Sequence, residues 1–427
     1  MLEIKHTQLK NSGIAWIGSI PNDWILKKID YMSTSYSGGT PDRDNYSYWE
    51  NGTVNWMSSG EVNKRLVYDT YEKISLKGLR NSSAKLYPEN TVMFALNGQG
   101  KTKGMTAILK TISSGNQSLV GFICDEKELH YRFLDYCFQA SYKFNRSYYG
   151  GGDNRDGVAA SNIKKMKIPV PSYHEQICLC DFLDSKINEL DNIINKARRS
   201  LELLQEIRES IIFEAVTKGL DKGAEMKDSG IEWMGEIPEK WKMMKLRYLV
   251  NIGTEKGSIS ENMNYVGLEN ISSRTGKYIR TESEVDDLSN NKFYKGNILF
   301  GKLRPYLKKI WQADFDGVAS SEFIIFKDSK MLMRYLYWTL FSDNFLENVD
   351  SSTYGTKMPR ASWEYIKNIL VTIPPEKEQA EIVNYLDSTI AGNDKMFSEL
   401  NQIIDIAEQT KKSIIFEYVT GKKRVQV

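Results

Sequence analysis

"SGIAWIGSIPNDW" at residues 12–24 returns as "SGIEWMGEIPEKW" at residues 229–241. The two stretches agree at Ser, Gly, Ile, Trp, Gly, Ile, Pro and Trp, and each carries its two tryptophans at the same spacing. Tryptophan is rare, so a repeated pair marks duplication rather than chance, and the chain reads as two versions of one design. The copies keep step with breaks. Their offset is 217 at Trp16/Trp233, 207 where "NTVMF" (90–94) faces "NILFG" (297–301), and 203 from Glu175/Glu378 onward. A shared frame with loops of unequal length is expected of paralogous halves that meet different ligands.

From Gln176/Gln379 the offset holds for more than 40 residues without a gap, which predicts a long helix in each copy. Apolar residues recur in steps of four and three at Leu183, Ile187, Leu190, Ile194, Ala197, Leu201, Leu204, Ile211 and Ala215, interrupted by Arg208. The second copy places Leu386, Ile390, Asn393, Phe397, Leu400, Ile404, Ala407, Lys411, Ile414 and Tyr418 in the same slots, with Lys411 where Arg208 stands. This is a heptad seam. Two matched seams in one chain are expected to pair with each other, antiparallel if a pseudo-twofold relates the copies. Arg208 and Lys411 then fall toward opposite ends of the bundle, where long stems reach water or an acidic partner subunit. The prolines of "KIPVPSYHEQ" (167–176) and "VTIPPEKEQ" (371–379) end a strand and force an extended entry, and the Glu that follows suits a helix start. "TKGLDKGAEMKDSG" (217–230), polar with three glycines, ends the first helix and links to the second unit. The second helix is expected to fray into "GKKRVQV".

The expected architecture is α/β: a recognition unit at 1–171, a helix with its linker at 172–226, a second recognition unit at 227–374 and a distal helix at 375–427, with the helices themselves at about 175–217 and 378–420. Roughly 43 helical residues at about 1.5 Å each make a rod of order 65 Å, against about 34 Å for a turn of duplex DNA.

A chain of 427 residues with 41% apolar content supports real cores. No apolar run approaches the roughly 20 residues that span a bilayer, and "MLEIKHTQLKNSG" lacks the apolar segment of a secretory signal, so a soluble cytoplasmic protein without membrane contact is expected. Four cysteines make no disulfide framework, and the Cys178-x-Cys180 pair has no second cluster to complete a metal site. The net charge of +2 divides unevenly along the chain. Residues 1–171 hold 22 Lys/Arg against 16 Asp/Glu and 227–374 hold 21 against 19, whereas 172–226 hold 7 against 11 and 375–427 hold 7 against 9. Two basic units alternating with two acidic ones suggest that only the globular units meet a polyanion; on domains this large the excess is also compatible with no partner at all.

Nothing in the sequence assembles a catalytic site. "GQGKT" (98–102) ends like a phosphate loop, but Ala95 stands where G-x-x-x-x-G-K-[ST] requires glycine. G-x-G-x-x-G, H-E-x-x-H and a catalytic Asn-Pro-Pro-aromatic are missing, and His6, His130 and His174 are scattered. What recurs is a strand opening into a Gly, Lys and Arg loop: "TVMFALNGQGKTKGMTAIL" (91–109) and "NILFGKLRPYLKKI" (297–310). Glycine lets a backbone approach phosphate, Lys and Arg neutralise it, and an Arg fork also reads guanine. The candidates are Asn97, Gln99, Lys101 and Lys103 in the first loop, with Asn97 and Gln99 suited to adenine, and Lys302, Arg304 and Tyr306 in the second. A further polar loop follows in each unit, "SYYGGGDNRDG" (147–157) with Tyr149, Asn154 and Arg155, and "SSTYGTKMPRAS" (351–362) with Tyr354, Lys357 and Arg360. Each loop also reads as a plain solvated turn; recurrence in matching slots favours the functional reading. Trp16, Trp24, Trp233 and Trp241 read as core residues of the shared frame rather than stacking platforms.

With these residues in view, the chain resembles the specificity subunits of type I restriction–modification systems, often called HsdS. The resemblance rests on the paired "SGIxWxGxIPxxW" openers, "YVGLENI" (265–271), "FGKLRPYL" (300–307), "YGTKMPRAS" (354–362) and the two proline-to-Glu-Gln helix entries, and it covers nearly the whole chain. It implies two target-recognition domains, each reading one half of an asymmetric interrupted site in double-stranded DNA, separated by two antiparallel helices. It implies no catalysis by this chain. Two modification subunits would use S-adenosylmethionine to methylate adenine, restriction subunits would use ATP and magnesium for translocation and cleavage, and the helices would be the docking surface for the modification subunits. The Lys302, Arg304 and Tyr306 stretch matches the family; "NGQGKTKG" in the first unit departs from it. Rival readings are a self-contained nuclease or methyltransferase, a protein scaffold without a DNA role, and a stand-alone DNA-binding homologue without enzyme partners.

Overall fold

The duplicated opener folds the same way twice, and its chemistry explains why it was kept. The side chains of Asn11 and Asp228 accept from the N–H of Gly13 and Gly230, at 2.9 Å each. The hydroxyls of Ser12 and Ser229 accept from Ile14 and Ile231, at 3.1 Å each. Gly13, Gly18, Gly230 and Gly235 all have φ between +66° and +72°, a region glycine enters without a Cβ penalty. The turn delivers Trp24 and Trp241 into the cores, fully buried, while Trp16 and Trp233 pack half-buried against the same cores.

The computed structural model describes residues 8–149, 157–257, 264–281, 290–351 and 359–425. The chain divides into two compact units, residues 1–197 with 402–427 and residues 198–401. Each unit therefore holds one recognition domain and one half of each long helix. In unit 1 the main sheet runs Ser33–Ser37, Leu119–Cys124, Val92–Ala95, Thr106–Leu109 and Leu66–Val67; in unit 2 it runs Val250–Ile252, Phe323–Ser329, Ile298–Gly301 and Ile310–Gln312. The first four strands correspond in order and direction. A second sheet in each unit contains one parallel pair, Val54–Met57 with Ser113–Gly115 and Asn264–Val266 with Gly317–Ser320. Ile25–Lys28 pairs with Lys167–Val170, and Lys242–Lys245 with Leu370–Ile373, joining the start of each domain to its end.

Strand register corrects the sequence alignment at one place. Phe94 faces Val120 and Thr106, and Phe300 faces Ile324 and Ile310, so these strands are offset by 206 rather than 207. Side chains alternate faces along a strand, so a slip of one would exchange core and surface; matching on the leading asparagines hid it.

The long helices run Tyr173–Thr217, 45 residues, and Glu376–Val419, 44 residues. Each begins two residues before the expected position. The Ser172 hydroxyl accepts from the Glu175 N–H at 3.2 Å in the first, and proline is tolerated at the mouth of both. The glutamine of each entry is a fork. Gln176 accepts from the His130 N–H at 2.8 Å and donates to the Glu128 and Pro171 carbonyls; Gln379 accepts from the Leu332 N–H at 2.9 Å and donates to Pro374. Two turns on, Asp184 takes Arg132 and the Tyr136 hydroxyl, and Asp387 takes Arg334 and the Trp338 indole. These duplicated contacts fix each helix to its own recognition domain.

Within unit 1 the two helix halves meet at Phe182 and Tyr418, ring centroids 4.6 Å apart, and at Asp191 and Lys411, 2.7 Å. Within unit 2 Arg208 meets Asp394 at 2.5 Å. Rising numbers on one helix meet falling numbers on the other, so the halves run antiparallel. Leu183, Ile187, Ile194, Leu204, Leu386 and Ile390 of the seam are buried, and Leu190, Leu201, Phe397, Leu400 and Ile404 are half-buried. Toward the C-terminal end of each helix the stripe moves one position. Ile212 and Ile415 are buried while Ile211 and Ile414 are half-buried, because the last turns pack on recognition-domain cores.

Two expectations about charge are corrected. Arg208 does not reach water: its side chain is 5% exposed and ion-paired across the seam, and Lys411 likewise pairs with Asp191. The tail is not frayed through residue 424. Lys422 donates to the Ile17 carbonyl at 2.6 Å, and Arg424 holds Glu175 with two nitrogens at 2.8 and 2.9 Å. Gly219 and Gly421, φ +75° and +71°, end the helices under Trp241 and Trp24, as left-handed cap glycines do.

Candidate nucleic-acid interface

In both units the strand at the centre of the main sheet runs straight into the candidate loop. In unit 1, Leu96 donates to the Ser118 carbonyl at 2.8 Å and its own carbonyl accepts from the Val158 N–H at 2.9 Å. In unit 2, Lys302 donates to the Glu322 carbonyl and accepts from the Ala361 N–H, both at 2.8 Å. The backbone frame is thus the same, and the start of the first loop in each unit lies beside the segment that follows the second loop.

Asn97, Gln99 and Lys101 are exposed on the unit 1 loop. Lys103 is not on that surface: it is 5% exposed, turned into the domain, which removes it from the accessible candidates. The loop is stapled from behind by residues that sequence reasoning passed over. Arg146 donates to the Gly100 and Lys103 carbonyls at 2.8 and 3.1 Å, and the Tyr142 hydroxyl donates to the Lys101 carbonyl at 2.6 Å. Those carbonyls are occupied inward, so the exposed side chains of the loop project from a fixed backbone. Phe144 and Tyr148 stack at 4.9 Å, 12° apart, with Tyr148 largely exposed. The cue was present in "YKFNRSYY" (142–149), an aromatic and basic run just before the glycines. The side chain of Tyr149, and Asn154 and Arg155, lie outside the described residues, as do Tyr354 and Lys357 in unit 2.

In unit 2, Arg304 (φ +52°) and Lys308 (φ +50°) both hold left-handed backbone, with the single turn Pro305–Leu307 between them. Such conformations cost non-glycine residues about 1 kcal/mol or more and persist where surroundings impose them. Here Arg304 N–H is held by the Pro359 carbonyl at 2.8 Å. Lys308, 5% exposed, is ion-paired to Asp343 and lies 3.7 Å from Glu209 of the first long helix. That anchoring leaves Arg304 and Tyr306 exposed, and among the described residues the Arg304 guanidinium makes no hydrogen bond or ion pair. Lys302 and Arg360 are brought together across the bridge of Leu303 with Arg360. Arg360 is bonded to Glu322 at 2.6 Å. Burial, then the neighbouring Arg360 charge, lowers the Lys302 ammonium below its ordinary value.

The arrangement offers donors and positive charge on stapled loops. Among the described residues no cluster of three or more His, Cys, Asp or Glu is placed to hold a metal, and no helix is long and apolar enough to cross a membrane.

A family model for the type I restriction modification DNA specificity domain matches residues 21–203 and 238–405. The chain belongs to that family. The matched segments are the two recognition domains with most of each long helix, so the duplication seen in the sequence is the duplication of the family domain. Among similar proteins, the type I restriction enzyme MjaVIII specificity subunit of Methanocaldococcus jannaschii is 24% identical over 95% of this chain and 94% of its own. The EcoKI specificity subunit of Escherichia coli is 21% identical over 96% and 91%. Among solved structures, a chain from work on complex assembly and conformational transition of the type I R-M system superposes with a TM-score of 0.70 at 13% identity, covering 95% of this chain and 99% of that one. The HsdS subunit of Thermoanaerobacter tengcongensis gives 0.52 at 12% identity, over 95% and 98%. At those identities the structural likeness establishes the fold: paired α/β domains with long helices.

Proposed function

We propose that this specificity-family chain is the sequence-reading subunit of a type I restriction–modification complex, with each recognition domain reading one half of an asymmetric, interrupted site in double-stranded DNA. The observation that carries this reading is one backbone frame used twice with unlike loops. Shared hydrogen bonds hold "NGQGKTKG" in one unit and "KLRPYLKK" in the other, as expected if the halves present the same geometry to DNA and choose different letters. In unit 2 Arg304 is the base reader: its fork is unoccupied and exposed on a held backbone. In unit 1 Asn97 and Gln99 fill that role, and Lys101 contacts phosphate.

Catalysis lies with partners in this reading. Two modification subunits, using S-adenosylmethionine, dock on the long helices, and restriction subunits bring ATP and magnesium. Support for helix docking comes from apolar side chains outside the seam, Ile193 with its copy Met396 and Leu203 with its copy Ile406, all exposed. Sequence reasoning, following the seam, did not single them out. Helix length sets the spacing of the half-sites. Methylation mapping of host DNA with the gene present and deleted tests the proposal: loss of one interrupted motif on deletion supports it, and an unchanged methylome counts against it.

A further inference from the structure

Unit 2 contains a cleft of about 560 Å³ floored by Phe323, Ile324 and Ile325 and rimmed by Thr254, Lys302 and Arg360. Comparison with unit 1 shows that its charges are not part of the scaffold. The shared backbone bonds make Leu96 the counterpart of Lys302, Ser118 that of Glu322 and Gly157 that of Arg360. Leu96 is buried in the unit 1 core. At the Arg360 position unit 1 has Gly157, where an added Cβ would fall 1.7 Å from the Asn97 amide oxygen and would require that side chain to move. The same frame folds without any of the three charged groups.

Their presence in unit 2 is therefore unfavourable for folding unless something else uses it. Lys302 and Arg360 line the same cleft, close enough for the Arg360 charge to disfavour the Lys302 ammonium. One carboxylate, Glu322, serves both, and it bonds to Arg360. The Lys302 ammonium makes no hydrogen bond or ion pair among the described residues, and Lys256 adds to the repulsion it feels. A half-buried cation beside a second cation, with the Thr254 hydroxyl at the rim, is a receptor for an anion.

We propose that this cleft seats one backbone phosphodiester of the half-site read by unit 2, with Lys302 as its point charge and Arg360, steadied by Glu322, as its second donor, and that unit 1 has no such seat. The inference rests on the DNA-reading function proposed above and refines it. Lys302 and Arg360 position the duplex and carry no sequence information, whereas Arg304 reads a base. Each phosphate neutralised steepens the fall of log K with log salt by about 0.9, so the seat has a signature that base readout lacks.

The test uses the full chain, duplexes bearing its mapped site, and single neutral methylphosphonate linkages placed in turn along the half-site. Lys302→Met puts an apolar side chain where unit 1 already has leucine, so the variant is expected to fold, checked by a melting temperature no lower than that of the wild type. For the wild type, one linkage in the unit 2 half-site should lower affinity by about tenfold, the size of one charged hydrogen bond. Lys302→Met should lose affinity on the unmodified duplex, lose less at that linkage than the wild type does because only Arg360 remains to contact it, show a salt slope smaller by up to about 0.9 and keep its base preferences; Lys302→Arg should retain the slope. An unchanged slope, losses that add, or altered base preference in Lys302→Met would overturn the seat. Displacement of DNA by ATP that Lys302→Met abolishes would instead assign the cleft to a free nucleotide and equally overturn it. If the wild type fails to distinguish its mapped site from a scrambled duplex, the reading function itself is refuted, separately from the seat.

Discussion

Asp394→Asn and Asp191→Asn are the same substitution at equivalent positions of the repeat, and the structure predicts unequal costs. Asp394 faces Arg208, whose side chain is 5% exposed, and also takes Lys277 at 2.7 Å. Removing its charge leaves a guanidinium buried without a counter-ion, which costs roughly 3–5 kcal/mol. Asp191 faces Lys411, with 42% and 29% of the side chains exposed, and water replaces the lost partner, so the cost is about 0–1 kcal/mol. Peptide-resolved hydrogen exchange on the full chain reads each unit separately, where one global unfolding curve would not. Protection of the helix around 208–217 should fall by about two to four orders of magnitude in Asp394→Asn, and that around 186–194 by no more than about fivefold in Asp191→Asn. Acid should act in the same direction. Burial raises the Asp394 carboxyl, but hydrogen bonds from Lys277 and Arg208 outweigh it and hold the group below its ordinary value of 3.8. The stability it contributes is therefore present above about pH 4 and lost as pH falls further. Equal losses in the two variants, or no loss in Asp394→Asn, would refute the claim that Arg208 is desolvated and dependent on its partner.

On the proposed function, Arg304→Ala should relax preference in one half-site by about 1–3 kcal/mol and leave the other unchanged; methylome mapping of the variant decides, and equal weakening of both halves would exclude Arg304 as a base reader. Leu204→Asp should be more disruptive than Leu201→Asp because only Leu204 is fully within the seam; a buried unpaired carboxylate costs several kcal/mol, read as a lower melting temperature and, on the proposed function, as lost assembly with modification subunits in size-exclusion chromatography. His130 is pushed down to about 4, by burial and then by the charge of Arg132, so it contributes stability above its unfolded value of about 6.5 that is lost as pH falls toward 4. The second unit has Leu332 in that slot, with the same N–H held by the entry glutamine. His130→Leu should therefore flatten the melting temperature of unit 1 between pH 6.5 and 4, and a profile identical to the wild type would show that His130 is not the titrating group.

Much of the scaffold was legible because duplication made each half a control on the other. The opener needs glycines at φ near +70° in both copies, and a constant offset over more than 40 residues permits no insertion, which is the mark of helix. What could not be read was set by contacts distant in sequence. Lys103 looks like its neighbour Lys101 in "GQGKTKG", yet one is buried and the other exposed, because Arg146 and Tyr142 bind the loop's carbonyls from a helical turn some 40 residues on. Arg360 and Lys302 are 58 positions apart, and only the folded chain brings them to line one cleft.

The charged seam residues follow from the duplication itself. With the offset of 203, Asp394 is the copy of Asp191 and Lys411 the copy of Arg208. A single complementary pair within the ancestral repeat, carboxylate at one position and cation at the other, thus produces both bridges when a helix meets its own copy antiparallel, as residues do in any self-complementary interface. A parallel arrangement in register would instead have set Asp191 beside Asp394 and Arg208 beside Lys411, like charge on like. The cation slot that interrupts the seam, Arg208 and its copy Lys411, and the carboxylate slot of Asp191 and its copy Asp394 therefore together favour the antiparallel pairing. Exchanging the charges at one bridge alone should preserve it, whereas exchanging only the cations for carboxylates should oppose it, and disulfide trapping of the helix halves within each unit distinguishes the outcomes.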